Sequence, residues 1–175
     1  MNYATVKWTD IANGEGVRIS LFVSGCTHRC KHCFNQVAWD FSYGEPFDSE
    51  IQAKILDGLK EPFIAGLSLL GGEPFEPSNQ IALLPFVREV KKRYPDKTIW
   101  CYTGDVFDPE TGLLKDGARN TEATEELLSL IDVLVDGEFQ EELKNIRLKF
   151  RGSSNQRVLD VKKSKILKKP VLYLD

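Results

Sequence analysis

The hydrophobic positions of this chain change period along its length, and the changes predict alternating strands and helices. Residues 18–25, RISLFVSG, form an apolar, β-branched run that stops at Gly25, as a buried strand does. FDSEIQAKILDGLK follows, with Ile51, Ile55, Leu56 and Leu59 on one helical face and Asp48 or Ser49 placed as N-cap. IAGLSLLGG, residues 64–72, is the second predicted strand and breaks at a glycine pair. SNQIALLPFVREVKKRYPD reads as a helix in which Pro85 either kinks the run or marks a late first turn. KTIWCYTG is the third strand, and NTEATEELLSLI the third helix, with acids in its first turn as the macrodipole favours.

DVLVDGEF, residues 132–139, predicts a fourth strand and IRLKFRG, residues 146–152, a fifth. The lysine-rich DVKKSKILKKP reads as a solvated face, and VLYL as either a closing strand or a loose tail over 162–175. Regular strand–helix alternation implies right-handed crossovers and a parallel sheet. The units are too few for a closed barrel of about 250 residues, which leaves a partial barrel or an open sheet. In either, functional loops gather at the C-terminal ends of the strands. The Cys-rich loop, the Gly-Gly-Glu turn, YTGD and VDGEF all fall there.

At 175 residues the chain is expected to be one domain, 1–175, with a core that needs no covalent staples. Hydrophobic content of 42% and charged content of 28% are ordinary for a globular protein, and a net charge of −3 offers no basic field for nucleic acid. The first residues, MNYATVKWTD, have no apolar signal region, and no run approaches 18 apolar residues. A cytoplasmic protein without a membrane anchor is expected.

FVSGCTHRCKHCFNQ, residues 22–36, changes this picture most. Cys26, Cys30 and Cys33 crowd into one loop, while the fourth cysteine, Cys101, lies in a predicted strand and reads as a small buried hydrophobe. Without a secretion signal this grouping points to a metal site rather than a disulfide framework. A cubane iron–sulfur cluster normally takes four thiolates. Three in one loop would leave one iron without a protein ligand, and an open position is what chemistry at a metal requires. Zinc bound by the three cysteines with His28 or His32 is the alternative, although structural zinc sites usually draw on two separated ligand pairs. Gly71 and Gly72 would let backbone approach a ligand closely, and Glu73 supplies a carboxylate for a cationic group; a plain strand-to-helix turn is the simpler reading of that stretch.

Cys26-x₃-Cys30-x₂-Cys33 after a first strand, with Gly71-Gly72-Glu73-Pro74 after the second, resembles the radical S-adenosylmethionine (SAM) superfamily. NGEGVRISLFVSGCTHRCKHCFNQVAWDF, IWCYTGD, IDVLVDGEF and FRGSSNQRVLD are similar to the family of anaerobic ribonucleoside-triphosphate reductase activating proteins, over roughly residues 10–160. The resemblance implies an α/β partial barrel of the radical SAM type, with a mostly parallel sheet of about five or six strands. It also implies a [4Fe-4S] cluster on Cys26, Cys30 and Cys33 whose open iron is chelated by SAM. One electron then cleaves SAM to methionine and a 5′-deoxyadenosyl radical, and a glycyl radical is installed near the C-terminus of the reductase partner.

Carried over to this chain, His32, Cys33 and Phe34 match the segment beside the SAM adenine, and Gly71, Gly72 and Glu73 the amino-group site. Thr103 with Gly104, and Asp136 to Glu138, match the segments that face SAM. Arg151, with Arg157, is a candidate for supporting the SAM site or the partner contact, within the polar closing segment 151–157. Arg18 reads as a surface ion pair or a contact to SAM or partner, and Gly14 and Gly16 as turn residues. This chain has Lys31-His32, Asp105 and Glu138 where relatives commonly have Pro-Gly, an aromatic residue, and Lys or Arg. The lost positive charge at 138 changes how the SAM carboxylate is held.

No further Cys-rich insertion is present, so the electron is expected from an external, flavodoxin-like donor. A small-molecule radical SAM enzyme resembling 7-carboxy-7-deazaguanine synthase and a non-enzymatic zinc module are the competing functions.

Overall fold

A computed structural model describes residues 1–175. Strands β1 (Asn2–Asp10) and β2 (Val17–Val23) come first, followed by β3 (Glu45–Pro46) and helix α1 (Ser49–Leu59). Asp48 is the α1 N-cap, its carboxylate accepting from the backbone N–H groups of Glu50 and Ile51. Next come β4 (Ile64–Gly71), α2 (Pro77–Arg93) and β5 (Thr98–Tyr102). Pro77 begins α2, where its missing N–H costs nothing, and Pro85 lies inside the unbroken helix rather than at its start. A small hairpin, β6 (Phe107–Asp108) and β7 (Leu113–Leu114), precedes α3 (Thr124–Leu130) and β8 (Val133–Asp136). β9 (Arg157–Asp160), α4 (Val161–Leu167) and β10 (Leu172–Leu174) end the chain.

Eight strands form one sheet in the order β10-β9-β8-β5-β4-β2-β1-β3. β2, β4, β5 and β8 are mutually parallel neighbours, as the alternation predicts. The flanking pairs β1·β2, β1·β3, β8·β9 and β9·β10 are antiparallel, so the expected mostly parallel sheet of five or six strands becomes a parallel centre with antiparallel wings. The fifth strand expected over residues 146–152 is instead irregular, with Ile146 91% exposed. The ladder is taken up further on by RVLD in β9. Residues 162–175 are not loose: α4 and β10 occupy them, and β10 pairs with β9.

Because the parallel strands advance in one direction by right-handed crossovers, their helices share one face of the sheet. Ile19, Leu21, Leu67, Leu69, Cys101 and Leu134 point to that face and join α1, α2 and α3 in a core of 27 buried residues. The opposite face carries Trp100, Val133, Val135 and Val158, with Tyr102, Phe150 and Leu174 against them. Arg18 also lies on this face and is only 1% exposed. It donates to Ser68 Oγ at 2.8 Å, Leu67 O at 2.9 Å and Thr98 O at 2.7 Å, and lies over the Trp100 ring. It is therefore neither a surface ion pair nor a contact at the strands' C-terminal ends. Gly14 is required there: at φ +125°, a Cβ would stand 2.7 Å from Arg18 Cδ and 2.9 Å from Trp100. No helix is long and apolar enough to cross a membrane.

Candidate metal and cofactor site

The C-terminal ends of β2, β4, β5 and β8 form one rim. Their registers align Val23 with Gly71, Leu69 with Cys101 and Tyr102 with Val135. Cys26, Cys30, Cys33, Glu73, Thr103 and Gly137 line a single pocket of about 130 Å³ at this rim. All three thiols are free and half-buried, whereas Cys101 is fully buried in the helix-side core. Burial pushes the Cys26 thiol up to about 11, with the Glu73 charge adding to it, and Cys30 is raised by burial and by Glu138. Metal binding would therefore release protons from these thiols.

The glycine pair has a packing reason as well as any ligand reason. A Cβ on Gly72 would lie 2.5 Å from Gly25 O and 2.9 Å from Ala38 O, and one on Gly71, at φ +115°, 2.6 Å from Val23 N and O. Close approach lets Gly72 N–H donate to Val23 O and Glu73 N–H to Gly25 O, both at 2.8 Å. The turn thus clamps the start of the cysteine loop.

Glu73 is 1% exposed and its carboxylate is crowded with donors. Oε1 accepts from Thr103 Oγ1 and Gly104 N–H at 2.8 Å and contacts His28 Nε2 at 2.6 Å; Oε2 accepts from Phe75 N–H at 2.8 Å. His28 Nδ1 lies 3.1 Å from Glu138 Oε1, so the imidazole bridges two carboxylates. Burial alone would lower its pKa, but the hydrogen bond and charge of Glu73 outweigh this and raise it. His28 is thereby a buried hydrogen-bonding side chain held between carboxylates.

The sequence-derived candidates do not all meet. Phe34 lines the cysteine pocket but is 86% exposed. His32 and Glu138 lie with Cys30 in an adjoining outer groove. The Asp136 side chain faces away from the pocket, accepting from Arg157 at 3.0 and 2.5 Å and from Phe107 N–H at 2.8 Å. Arg151 lines a neighbouring cleft rather than the cysteine pocket.

Sequence reasoning missed the residues that fix the loop. Glu76, one turn beyond Glu73, accepts at Oε1 from Thr27 N–H at 2.7 Å and Thr27 Oγ1 at 2.6 Å. Arg119 donates to Glu76 at 3.1 Å, Asp105 at 2.9 Å and Thr27 Oγ1 at 2.6 Å. Burial would raise the Glu76 pKa, but the Thr27 and Arg119 hydrogen bonds hold it below its usual value. Asp105 goes the other way, raised by burial and the Glu73 charge. Their only sequence signal was a carboxylate following GGEP and an isolated arginine in a polar loop.

Three clustered thiols, with the fourth cysteine on the far face of the sheet, suit an iron–sulfur cluster. The chain matches the family described as a 4Fe-4S single cluster domain over residues 12–159. A protein of Pasteurella multocida (strain Pm70) named anaerobic ribonucleoside-triphosphate reductase-activating protein is 45% identical over 158 residues, spanning 89% of this chain and 95% of the relative. The proteins of that name from Escherichia coli (strain K12) and Enterobacteria phage T4 are 39% and 35% identical, each over 90% of this chain and over 97% and 93% of the relative. With its rim-borne cysteine loop, its 4Fe-4S single cluster domain and its near-complete overlap with these relatives, the chain belongs to the family of anaerobic ribonucleoside-triphosphate reductase-activating proteins.

Proposed function

We propose that this chain activates an anaerobic ribonucleoside-triphosphate reductase by generating a glycyl radical on it, as a radical SAM oxidoreductase. Its sheet and helices are then a partial barrel of the radical SAM type, and a [4Fe-4S] cluster sits on Cys26, Cys30 and Cys33. The observation that carries this reading is the sharing of one pocket by three free thiols and the Glu73 carboxylate, with no fourth thiol in reach. Bound there, a reduced cluster supplies the electron that cleaves SAM to methionine and a 5′-deoxyadenosyl radical able to take a hydrogen atom from glycine.

The chain's own residues bind and shelter. Thr103 Oγ1 and Gly104 N–H fix the Glu73 carboxylate, whose charge-assisted hydrogen bond would hold the SAM ammonium group in the place taken by the His28 imidazole. Gly71 and Gly72 bring that carboxylate against the cysteine loop. Leu70 and Phe139 give the pocket apolar walls that would shelter a reactive radical from water, with the exposed Phe34 ring at the mouth. Cys30, Lys31 and His32 line an outer groove beside the loop, by which a flavodoxin-like donor would approach in the cytoplasm.

The test is to reconstitute the protein anaerobically, assay iron and sulfide, and measure 5′-deoxyadenosine after adding SAM and reductant. Product is expected to form, to depend on Cys26, Cys30 and Cys33, and to survive Cys101→Ala. One zinc per chain, with neither iron nor sulfide, contradicts the reading.

A further inference from the structure

Between the sheet and the segment 139–156 lies a cleft of about 420 Å³. It holds two hydrogen-bond donors from which nothing in the protein accepts. Tyr102 ends β5 and faces away from the helices, and its hydroxyl is buried and unpartnered. Burial pushes the phenol far above its ordinary range, so it stays a donor at any physiological pH. Arg151 lines the same cleft. Its Nη1 donates to Gln156 O, yet its Nε is buried without a partner. Arg88, Arg93, Arg119 and Arg157 all pair with carboxylates, whereas Arg151 pairs with none.

Buried donors are nearly always satisfied, and an orphan needs a reason. Two orphans in one cleft, both donors, fit acceptors that arrive with a ligand. Tyr102, Leu70, Phe34, Phe139 and Gln156 line both this cleft and the cysteine pocket, so the two spaces adjoin. Arg151 borders only the larger one, beyond the Glu73 carboxylate and the three thiols. The remaining walls are mixed: Leu148 and Phe150 lie inside and the exposed Ile146 at the edge, alongside the polar Asn13, Glu141 and Lys144.

An extended polypeptide matches this chemistry. It offers a carbonyl acceptor at every residue, and its side chains project alternately to walls on either side. A small anion would satisfy the donors but leave the apolar walls unused. We infer that this cleft binds the main chain of an extended polypeptide segment, whose carbonyl oxygens accept from the Tyr102 hydroxyl and Arg151 Nε–H. On the function proposed above, on which this rests, the segment is the part of the reductase that carries its glycine to the cysteine pocket. Tyr102 and Arg151 are then substrate-positioning residues.

The test compares wild type with Tyr102→Phe and Arg151→Lys, using anaerobically reconstituted protein. Three quantities are measured: the dissociation constant for the intact reductase, that for SAM, and the melting temperature without ligand. Both variants are expected to bind the reductase roughly 3- to 10-fold more weakly and SAM within about twofold of wild type. Tyr102→Phe is expected to melt no lower than wild type, because it removes an unsatisfied buried hydroxyl. A lower melting temperature with unchanged reductase affinity overturns the inference, since the hydroxyl would then serve the fold. Loss of SAM affinity instead assigns the donors to SAM and also overturns it. If wild type binds SAM but not the reductase, the proposed function falls together with the inference. Equal reductase binding by wild type and both variants removes the inference alone.

Discussion

Thr27, in the cysteine loop, and Arg119, 92 residues further along the chain, meet at 2.6 Å between hydroxyl and guanidinium. Both also contact Glu76 Oε1, so one carboxylate ties the loop to α2 and to the segment before α3. The cysteine loop has little regular structure of its own, and this triad holds its first turn in place.

Glu76→Gln keeps the shape but removes the charge from a buried carboxylate. Stability at pH 7 is expected to fall by about 1–3 kcal/mol, and the thiols to release a reconstituted cluster faster. Because the folded pKa of Glu76 is lowered, its stabilisation is present above the ordinary value of 4.5 and lost as pH falls through the lowered one. Urea unfolding at pH 7 and again below pH 4.5 checks this: the gap between wild type and variant is expected to narrow on acidification.

Gly72→Ala tests the clamp. The new methyl would meet backbone oxygens of Gly25 and Ala38, neither of which can swing aside as a flexible side chain does. Overpacking of this kind is expected to cost about 1–3 kcal/mol. Gly137→Ala, whose nearest neighbour is at 3.6 Å, is expected to retain cluster better despite its φ of +98°. Iron retention during anaerobic gel filtration of the two variants reads the difference.

Much of this arrangement is legible in the sequence, and the exceptions have physical causes. β2, β4, β5 and β8 are read correctly because they are buried on both faces and so form near-continuous apolar runs. β1 escapes because its residues, Asp10 apart, are exposed or only partly buried and carry no strong alternation. The apolar residues of IRLKFRG mimic a strand, but Ile146 points to solvent and Phe150 packs edge-on against Trp100 instead of extending a ladder. At the rim, Cys26 and Glu73 declare themselves by motif. Arg119 does not, because its three partners come from three separate loops that only the folded sheet brings together.

Glu73→Gln is expected to weaken SAM binding roughly 10- to 100-fold, since a charged hydrogen bond is worth about 1.5–3 kcal/mol. Four donors converge on this carboxylate, so a drop in thermal stability is expected as well. Calorimetric titration of SAM, alongside the absorbance of the cluster, separates a binding defect from cluster loss. An unaltered SAM affinity would move the amino-group site elsewhere.

Asp136→Asn is expected to affect stability alone. Its carboxylate is tied to Arg157 and to the Phe107 N–H on the side away from the cysteine pocket. A stability loss of about 1–3 kcal/mol is expected, with SAM affinity unchanged. Denaturant unfolding and the same calorimetric titration check both halves.

The most direct measurement of the central claim is electron paramagnetic resonance on the reduced protein mixed with SAM and the anaerobic reductase, repeated with the reductase's radical-bearing glycine changed to alanine. A doublet glycyl signal with the first reductase and none with the second is the expected result. Stoichiometric 5′-deoxyadenosine with no protein radical on either, from protein carrying an intact cluster, would contradict the account.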